Sequence, residues 1–485
     1  MNYASTRQNS EKATAAQAIL TGLAPDGGLY IPEEFPAIDF KGLLGKSYNE
    51  IALAVLTPFL PEYDEAFLKQ AIAESYGEPF GGKAGQLVPV SEGLFSLELW
   101  HGPTAAFKDY ALQLMPRLLV QARKMLGETA ETIILVATSG DTGKAALEGY
   151  KNREGVKIAV FYPSDGTSEI QRLQMATQEG NNVAVYAIEG NFDDAQRGVK
   201  KAFGSKQLAA ELLQQNKRLS SANSINWGRL VPQIVYYVTT YLQLCAQGAV
   251  QYGQPVDYCV PTGNFGDILA GYYAKAMGLP VGKLICASNS NNVLAEFLQT
   301  GRYNAKREFY KTSSPSMDIL VSSNLERLLY HTASKPALVK TWMEQLAKEG
   351  EYTVDEETLA RIQSVFAAGW ANEEEVSQEI REIFTAHGYL CDPHTAVAFR
   401  VCAQQPKQQA VARVVLSTAS PFKFSGKVLA ALGQPVPENE FEALAALENC
   451  SGQKAPRALA ELSGRPVRFT QQILPEEILE IPKTL

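Results

Sequence analysis

Histidine is scarce in this chain. Only His101, His331, His387 and His394 occur in 485 residues, and none stands in an HxxxH or mixed Cys/His spacing, so no protein-bound zinc or other metal site is expected. Cysteine is nearly as sparse. Cys245, Cys259, Cys286, Cys391, Cys402 and Cys450 include no CxxC pair, which reads as reduced, mostly buried small hydrophobes rather than a disulfide framework. No apolar run approaches membrane-spanning length, and the opening MNYASTRQNSEKATAAQ has no apolar stretch behind a basic cluster. The expectation is a cytoplasmic chain with no membrane partner. A net charge of −8, with lysine and arginine nowhere concentrated, gives a nucleic acid backbone nothing to bind.

What is present is ample material for a core. Apolar residues make up 46% of the chain and charged residues 20%, the balance of a globular protein, and the length exceeds what one core ordinarily serves. From about residue 130, short β-rich runs alternate with helical ones: TIILVAT, DTGKAALEGYKN, VKIAVFYP, IQRLQMATQ, NVAVYAIEG, DDAQRGVKKAF. A second set begins at VDYCVPT and continues through FGDILAGYYAKAMG, KLICASN and ARVVLST. Such alternation predicts βαβ units and parallel sheets. The fold class is therefore α/β, with two lobes, each a mainly parallel sheet flanked by helices, and an N-terminal accessory region. Boundaries are expected at 1–100 for the accessory region, 101–225 for the smaller lobe and 226–485 for the larger. INWGRLVPQIVYYVTTYLQLCAQ predicts a long buried helix bridging them.

Ligands of open α/β sheets bind where strands end, and three loops stand out. ATSGDTGKAALEGY stops an apolar strand at small and hydroxyl residues before a helix, a place that favours an anion. The Walker spacing fails there, since Gly140 and Gly143 are too close and Ala145 replaces the Ser or Thr, so a plain strand-to-helix turn is the competing reading. VPTGNFGDILAGYY repeats the arrangement, with Gly263 and Gly266 allowing close backbone approach and amides from Asn264 to Asp267 able to cradle a phosphate. It lacks a full GxGxxG dinucleotide fingerprint. VVLSTASPFKFSG ends a buried strand at Thr418, whose neutral hydroxyl suits a ring nitrogen or, more simply, a cap.

The most telling residue is a lysine. In ELWHGPTAAFKDYALQLM, small and apolar residues run straight into Lys108 before an amphipathic pattern. A lysine in such surroundings loses its proton readily and serves as a nucleophile or imine former, although a solvated helix-start lysine would look the same. One phosphate cradle, one ring-nitrogen partner and one imine lysine together suggest pyridoxal phosphate.

Taken in order, ELWHGPTAAFKD, ATSGDTG, QRLQMATQ, GNFDDAQ, NSINWGRLVPQ, PTGNFGD, DPHTAVA and STASPFKF, with STR and GLAPDGGLYIP near the start, resemble the threonine synthase family of fold type II pyridoxal-phosphate enzymes, which is tryptophan synthase beta-like. The resemblance covers nearly the whole chain. It implies a lyase that converts O-phospho-L-homoserine and water to L-threonine and phosphate, the last step of threonine biosynthesis. By the same resemblance Lys108, on the smaller lobe, holds pyridoxal 5'-phosphate and then shuttles protons. Gly263, Asn264, Phe265, Gly266 and Asp267, on the larger lobe, bind the cofactor phosphate, Thr418 faces the pyridine nitrogen, and Asp141 contacts the 3′ oxygen. Ser139 and Thr142 lie nearer the substrate, and Asn223, Ser224 and Arg229 take the substrate phosphate, for which an arginine fork is suited. A monomer or homodimer is expected.

Two positions depart from the family pattern. Gln8 follows STR where glycine is usual, and Lys144 stands where a small residue is commoner, either adding a cation near the substrate or capping its helix on the solvent face. The rival readings are a phospho-lyase that releases a 2-oxo acid from the same substrate and a cofactor-free binding paralogue.

Overall fold

A computed structural model of the chain describes residues 1–7, 11–165, 167–406 and 411–485. The apolar runs between residues 130 and 220 build the smaller of two main sheets. Its strands lie in the order Gln472–Ile473, Val183–Ile188, Val156–Pro163, Glu131–Ala137, Lys217–Ser220, and each pair is parallel. Glu131–Ala137 is buried from Thr132 to Val136, which is why TIILVA reads as a continuous apolar run rather than an alternating one. The period of two still sorts its side chains. Ile133 and Leu135 pack with Ala159 and Phe161 on one face, while Ile134 and Val136 join the main core on the other.

The larger sheet has the order Phe366–Trp370, Val281–Ser288, Val256–Pro261, Ala412–Ser417, Leu94–Glu98, Gln86–Ser91. The first five strands are parallel, and Gln86–Ser91 closes the edge antiparallel to Leu94–Glu98. These last two strands fall inside the stretch 1–100 that the sequence suggests is accessory. The parallel partner of Leu94–Glu98 is Ala412–Ser417, too distant in the chain to leave a local signal, and Pro89 is admissible only because its strand is an edge. Gln472–Ile473 differs in the opposite sense, returning the chain from the larger lobe to the smaller sheet.

The predicted bridging helix is buried but broken. Trp227–Leu230 is followed by a 3₁₀ turn at Val231–Gln233 and then by Ile234–Ala246. Pro232 explains the interruption, because it has no N–H to donate and its ring crowds the preceding turn. Leu97, Val260 and Leu416 of the larger sheet share one core with Ile134, Val136 and Ile158 of the smaller.

The N-terminal region packs onto this junction. Tyr3–Ser5 pairs antiparallel with Tyr30–Pro32, the Tyr3 ring lies 5.2 Å from that of Trp227, and its hydroxyl donates to the Phe59 carbonyl at 2.6 Å. Thr6 and Arg7 both bond Glu326; Gln8 lies outside the described residues. Among the described residues no helix is long and apolar enough to cross a membrane. Cys259, Cys286, Cys391 and Cys402 are buried, whereas Cys450 is exposed.

Candidate active site

Lys108 begins the helix Lys108–Met125. The loop before it is held against the end of strand Ala412–Ser417: Phe107 N donates to the Thr418 carbonyl at 2.8 Å, and Ser420 N to the Ala105 carbonyl at 3.1 Å. Ala105 has φ +58°. A left-handed alanine costs on the order of 1 kcal/mol or more and persists where its surroundings enforce it. The second such residue in the site is Phe265, at φ +62° in the glycine loop. Both loops predicted to hold the cofactor are therefore strained.

The Lys108 ammonium is buried. It donates to Ser316 Oγ at 3.2 Å and lies 3.7 Å from Asp141 Oδ2. The other oxygen of Asp141 accepts from Lys423 Nζ and from Gln171 Nε2. Burial lowers the pKa of Lys108, Asp141 opposes the shift, and Lys423 and Arg229 reinforce it. For Asp141, burial acts to raise the pKa, but the ammoniums of Lys423 and Lys108 prevail and hold it well below the usual carboxylate range.

The glycine loop follows strand Val256–Pro261 and opens the helix Gly266–Ala276, so free amides at its first turn face outward as an anion site. Two glycines there do different work. A Cβ on Gly263 would lie 2.6 Å from the Ser316 carbonyl oxygen, whereas one on Gly266 would make only ordinary contacts, with Asn324 Nδ2 at 3.5 Å and Gln233 Nε2 at 3.8 Å. Protein packing demands the first glycine; the second leaves an open cradle for a bound group. Asp267 needs a qualification. Its carboxyl accepts from the hydroxyls of Tyr236 at 2.6 Å and Tyr237 at 3.0 Å, and burial pushes its pKa up to about 6 against those hydrogen bonds. Only its main-chain N–H suits a phosphate.

Arg229 is buried. Nη1 donates to the Ala222 carbonyl at 2.5 Å, and Nε has no hydrogen-bond partner among the described residues. Burial lowers its pKa to about 10. A buried cation without an anion costs on the order of several kcal/mol, which an incoming phosphate relieves. Ser224 Oγ lies 3.4 Å from Ser323 Oγ, which donates to Asn264 Oδ1 at 3.2 Å. The two anion loops are thus joined through a third segment. Asn223 is exposed, and Ser139 and Thr142 are half-buried beside Asp141.

Lys144 takes neither of its expected positions. Its buried ammonium bonds Glu148 Oε2 at 3.2 Å and Gln178 Oε1 at 2.5 Å, a charge satisfied inside the smaller lobe. Sequence reasoning also missed functional neighbours. Ser316 is held by His394, whose Nε2 accepts from Ser316 N at 3.1 Å while Nδ1 lies 2.6 Å from Asp392. Arg327, fully buried, donates to the Tyr30 and Ile225 carbonyls and to Asn324 Oδ1. Lys423, like Lys108, is a cation set among apolar residues, Phe422 and Phe424, but its partner Asp141 is distant in the chain.

One lysine against a carboxylate, a strained glycine loop at a helix start and an open cradle at Gly266 fit pyridoxal phosphate. The family model "Pyridoxal-phosphate dependent enzyme" matches residues 90–419. The class is therefore that of the fold type II pyridoxal-phosphate enzymes, and pyridoxal phosphate is its cofactor. "Threonine synthase N terminus" matches residues 2–76 and "Threonine synthase, C-terminal" residues 395–473. The threonine synthase of Pseudomonas aeruginosa is 38% identical over 99% of this chain and 97% of its own. The crystal structure of pyridoxal-phosphate-bound threonine synthase from Brucella melitensis superposes with a TM-score of 0.89 at 39% identity, covering 100% of this chain and 98% of that one. Threonine synthase-like 1 of Macaca fascicularis is 40% identical over 86% of this chain, which spans 58% of that longer protein. The chain belongs to the threonine synthase family.

Proposed function

We propose that the chain is a threonine synthase, converting O-phospho-L-homoserine and water to L-threonine and phosphate. One observation supports the reading: besides the helix start at Gly266, the guanidinium of Arg229, near enough to Lys108 to depress its pKa, is buried and partly unpaired among the described residues. A substrate bearing its own phosphate beside a phosphorylated cofactor requires two anion sites, one permanent and one that releases its occupant each turnover.

Pyridoxal phosphate supplies the electron sink. The chain's residues do the rest. Gly263, Asn264, Phe265, Gly266 and the Asp267 amide hold the cofactor phosphate, Thr418 offers the ring nitrogen a neutral hydroxyl, and Asp141 faces the 3′ oxygen. Asn223, Ser224 and Arg229 hold the substrate phosphate, with Ser139 and Thr142 orienting the amino-acid end. Lys108 Nζ moves the proton at substrate Cα, and Ser316 Oγ, 3.2 Å away, anchors that amine between transfers. The lysine and the substrate loop are assigned to a lobe at 101–225 and the cofactor-phosphate loop to one at 226–485. The same reading makes the protein a cytoplasmic monomer or homodimer acting on a free small molecule.

The test is product identification from O-phospho-L-homoserine. Threonine and phosphate in equal amounts, dependent on pyridoxal phosphate, are expected. 2-Oxobutyrate in place of threonine would make the protein a phospho-lyase, and no visible absorbance with added cofactor would make it a binding paralogue.

A further inference from the structure

We propose that Lys423 is a positioning residue of this site, occupying the carboxylate of Asp141 so that the amine of Lys108 is left free to bond the cofactor. The inference rests on the reading of Lys108 given above. Lys423 is fully buried at its side chain; its Nζ bonds Asp141 Oδ1 directly and donates to the Thr104 carbonyl at 3.2 Å. Lys108 Nζ stands farther from the same carboxylate, 3.7 Å from Oδ2, and donates at hydrogen-bond distance to Ser316 Oγ instead. Two ammoniums thus share one carboxylate unequally.

In a water-poor site one carboxylate offsets one ammonium, and the more weakly held of two is the one that gives up its proton. The carbonyl of Thr104 adds a second acceptor for Lys423 that Lys108 lacks. The remaining charged groups favour the same outcome. Arg229, from the segment Trp227–Leu230, also disfavours a proton on Lys108, and Asp267, from the helix Gly266–Ala276, opposes it from farther away. Asp109 faces Lys423 from the Lys108 helix and His394 faces Asp141 from the helix Pro393–Gln404. The consequence is chemical. An ammonium has no lone pair, whereas a free amine would have one to bond the aldehyde carbon of pyridoxal phosphate, the C=O bond giving way to C=N as the carbonyl oxygen leaves with the two amine protons as water.

The experiment follows capture of pyridoxal phosphate by the full-length chain, stripped of cofactor, as the growth of visible absorbance at a series of pH values. Lys423→Gln keeps a donor but removes the charge. Asp141 then serves Lys108 alone, and the pH midpoint of capture is expected to rise by about one unit, a roughly tenfold slower capture at fixed pH below it. Adding Asp141→Asn to Lys423→Gln should return the midpoint to the wild-type value or below it. Lys423→Arg should leave it unmoved. If Lys423→Gln does not fold, Lys423→Met serves in its place, and melting curves identify folded protein. An unmoved midpoint in a folded, charge-free variant overturns the role of Lys423 alone. A wild-type chain that captures no cofactor overturns the reading of Lys108 with it, and neither result depends on which substrate the enzyme takes.

Discussion

The Ser316 hydroxyl accepts a hydrogen bond from Lys108 Nζ at 3.2 Å. That bond joins the helix Lys108–Met125 to the segment that packs against Gly263, so the lysine and the cofactor-phosphate loop are fixed by one residue. Lys108→Ala removes the amine assigned to the cofactor, the one held more loosely by Asp141. It should abolish both turnover and the visible absorbance of bound cofactor, while circular dichroism shows an intact fold. Threonine formation at the wild-type rate would sink the assignment of Lys108.

The two glycines of the cradle should separate in their effects. Gly263→Ala forces a Cβ to within 2.6 Å of the Ser316 carbonyl, so melting temperature and cofactor affinity should both fall. Gly266→Ala meets no close protein atom, so stability should hold while cofactor affinity drops at least tenfold. Equal losses of stability in the two variants would contradict the open cradle.

Arg229→Met removes a buried cation and the fork proposed for the substrate phosphate. KM for O-phospho-L-homoserine should rise by about tenfold to a hundredfold, the 1.4 to 2.8 kcal/mol of a charge-assisted hydrogen bond. An unchanged KM would remove Arg229 from the substrate site.

Asp109 gives a stability signature. Its carboxyl accepts from Thr104 N at 2.8 Å and Thr104 Oγ1 at 2.7 Å, yet burial pushes its pKa up to about 7. A carboxyl raised in the fold binds its proton more tightly folded than unfolded. It therefore adds stability below its ordinary pKa near 4 that is lost as pH climbs to about 7. In Asp109→Asn, the amide can still accept from Thr104 N and donate to Thr104 Oγ1. Thermal melts from pH 4 to 7 should fall less steeply for that variant than for wild type, and parallel curves would show that Asp109 does not titrate in this window.

Much of this site was legible because its chemistry is local. Lys108, Gly263 and Asn264 each stand in a short motif whose spacing sets backbone shape. The strand runs at 132–138 and 412–418 also announce themselves, since a strand buried on both faces is simply apolar. What escaped reading depends on partners distant in the chain. Lys423 acquires meaning only once Asp141 is placed beside it, Ser316 only through His394, and Leu94–Glu98 becomes a sheet strand only by pairing with Ala412–Ser417. Lys144 shows the opposite failure. Its motif position suggested substrate or solvent, but Glu148 one turn on and Gln178 across the lobe claim its charge.

The pairing of Gln472–Ile473 with Val183–Ile188 bears on how the molecule is made. During synthesis the smaller sheet emerges early but lacks one edge until a strand from far downstream arrives. Until then the end of Val183–Ile188, at Ala187 and Ile188, lacks its partner, and an unpaired margin is the kind on which foreign strands dock. The nascent protein carries that short gap through the building of its entire larger lobe.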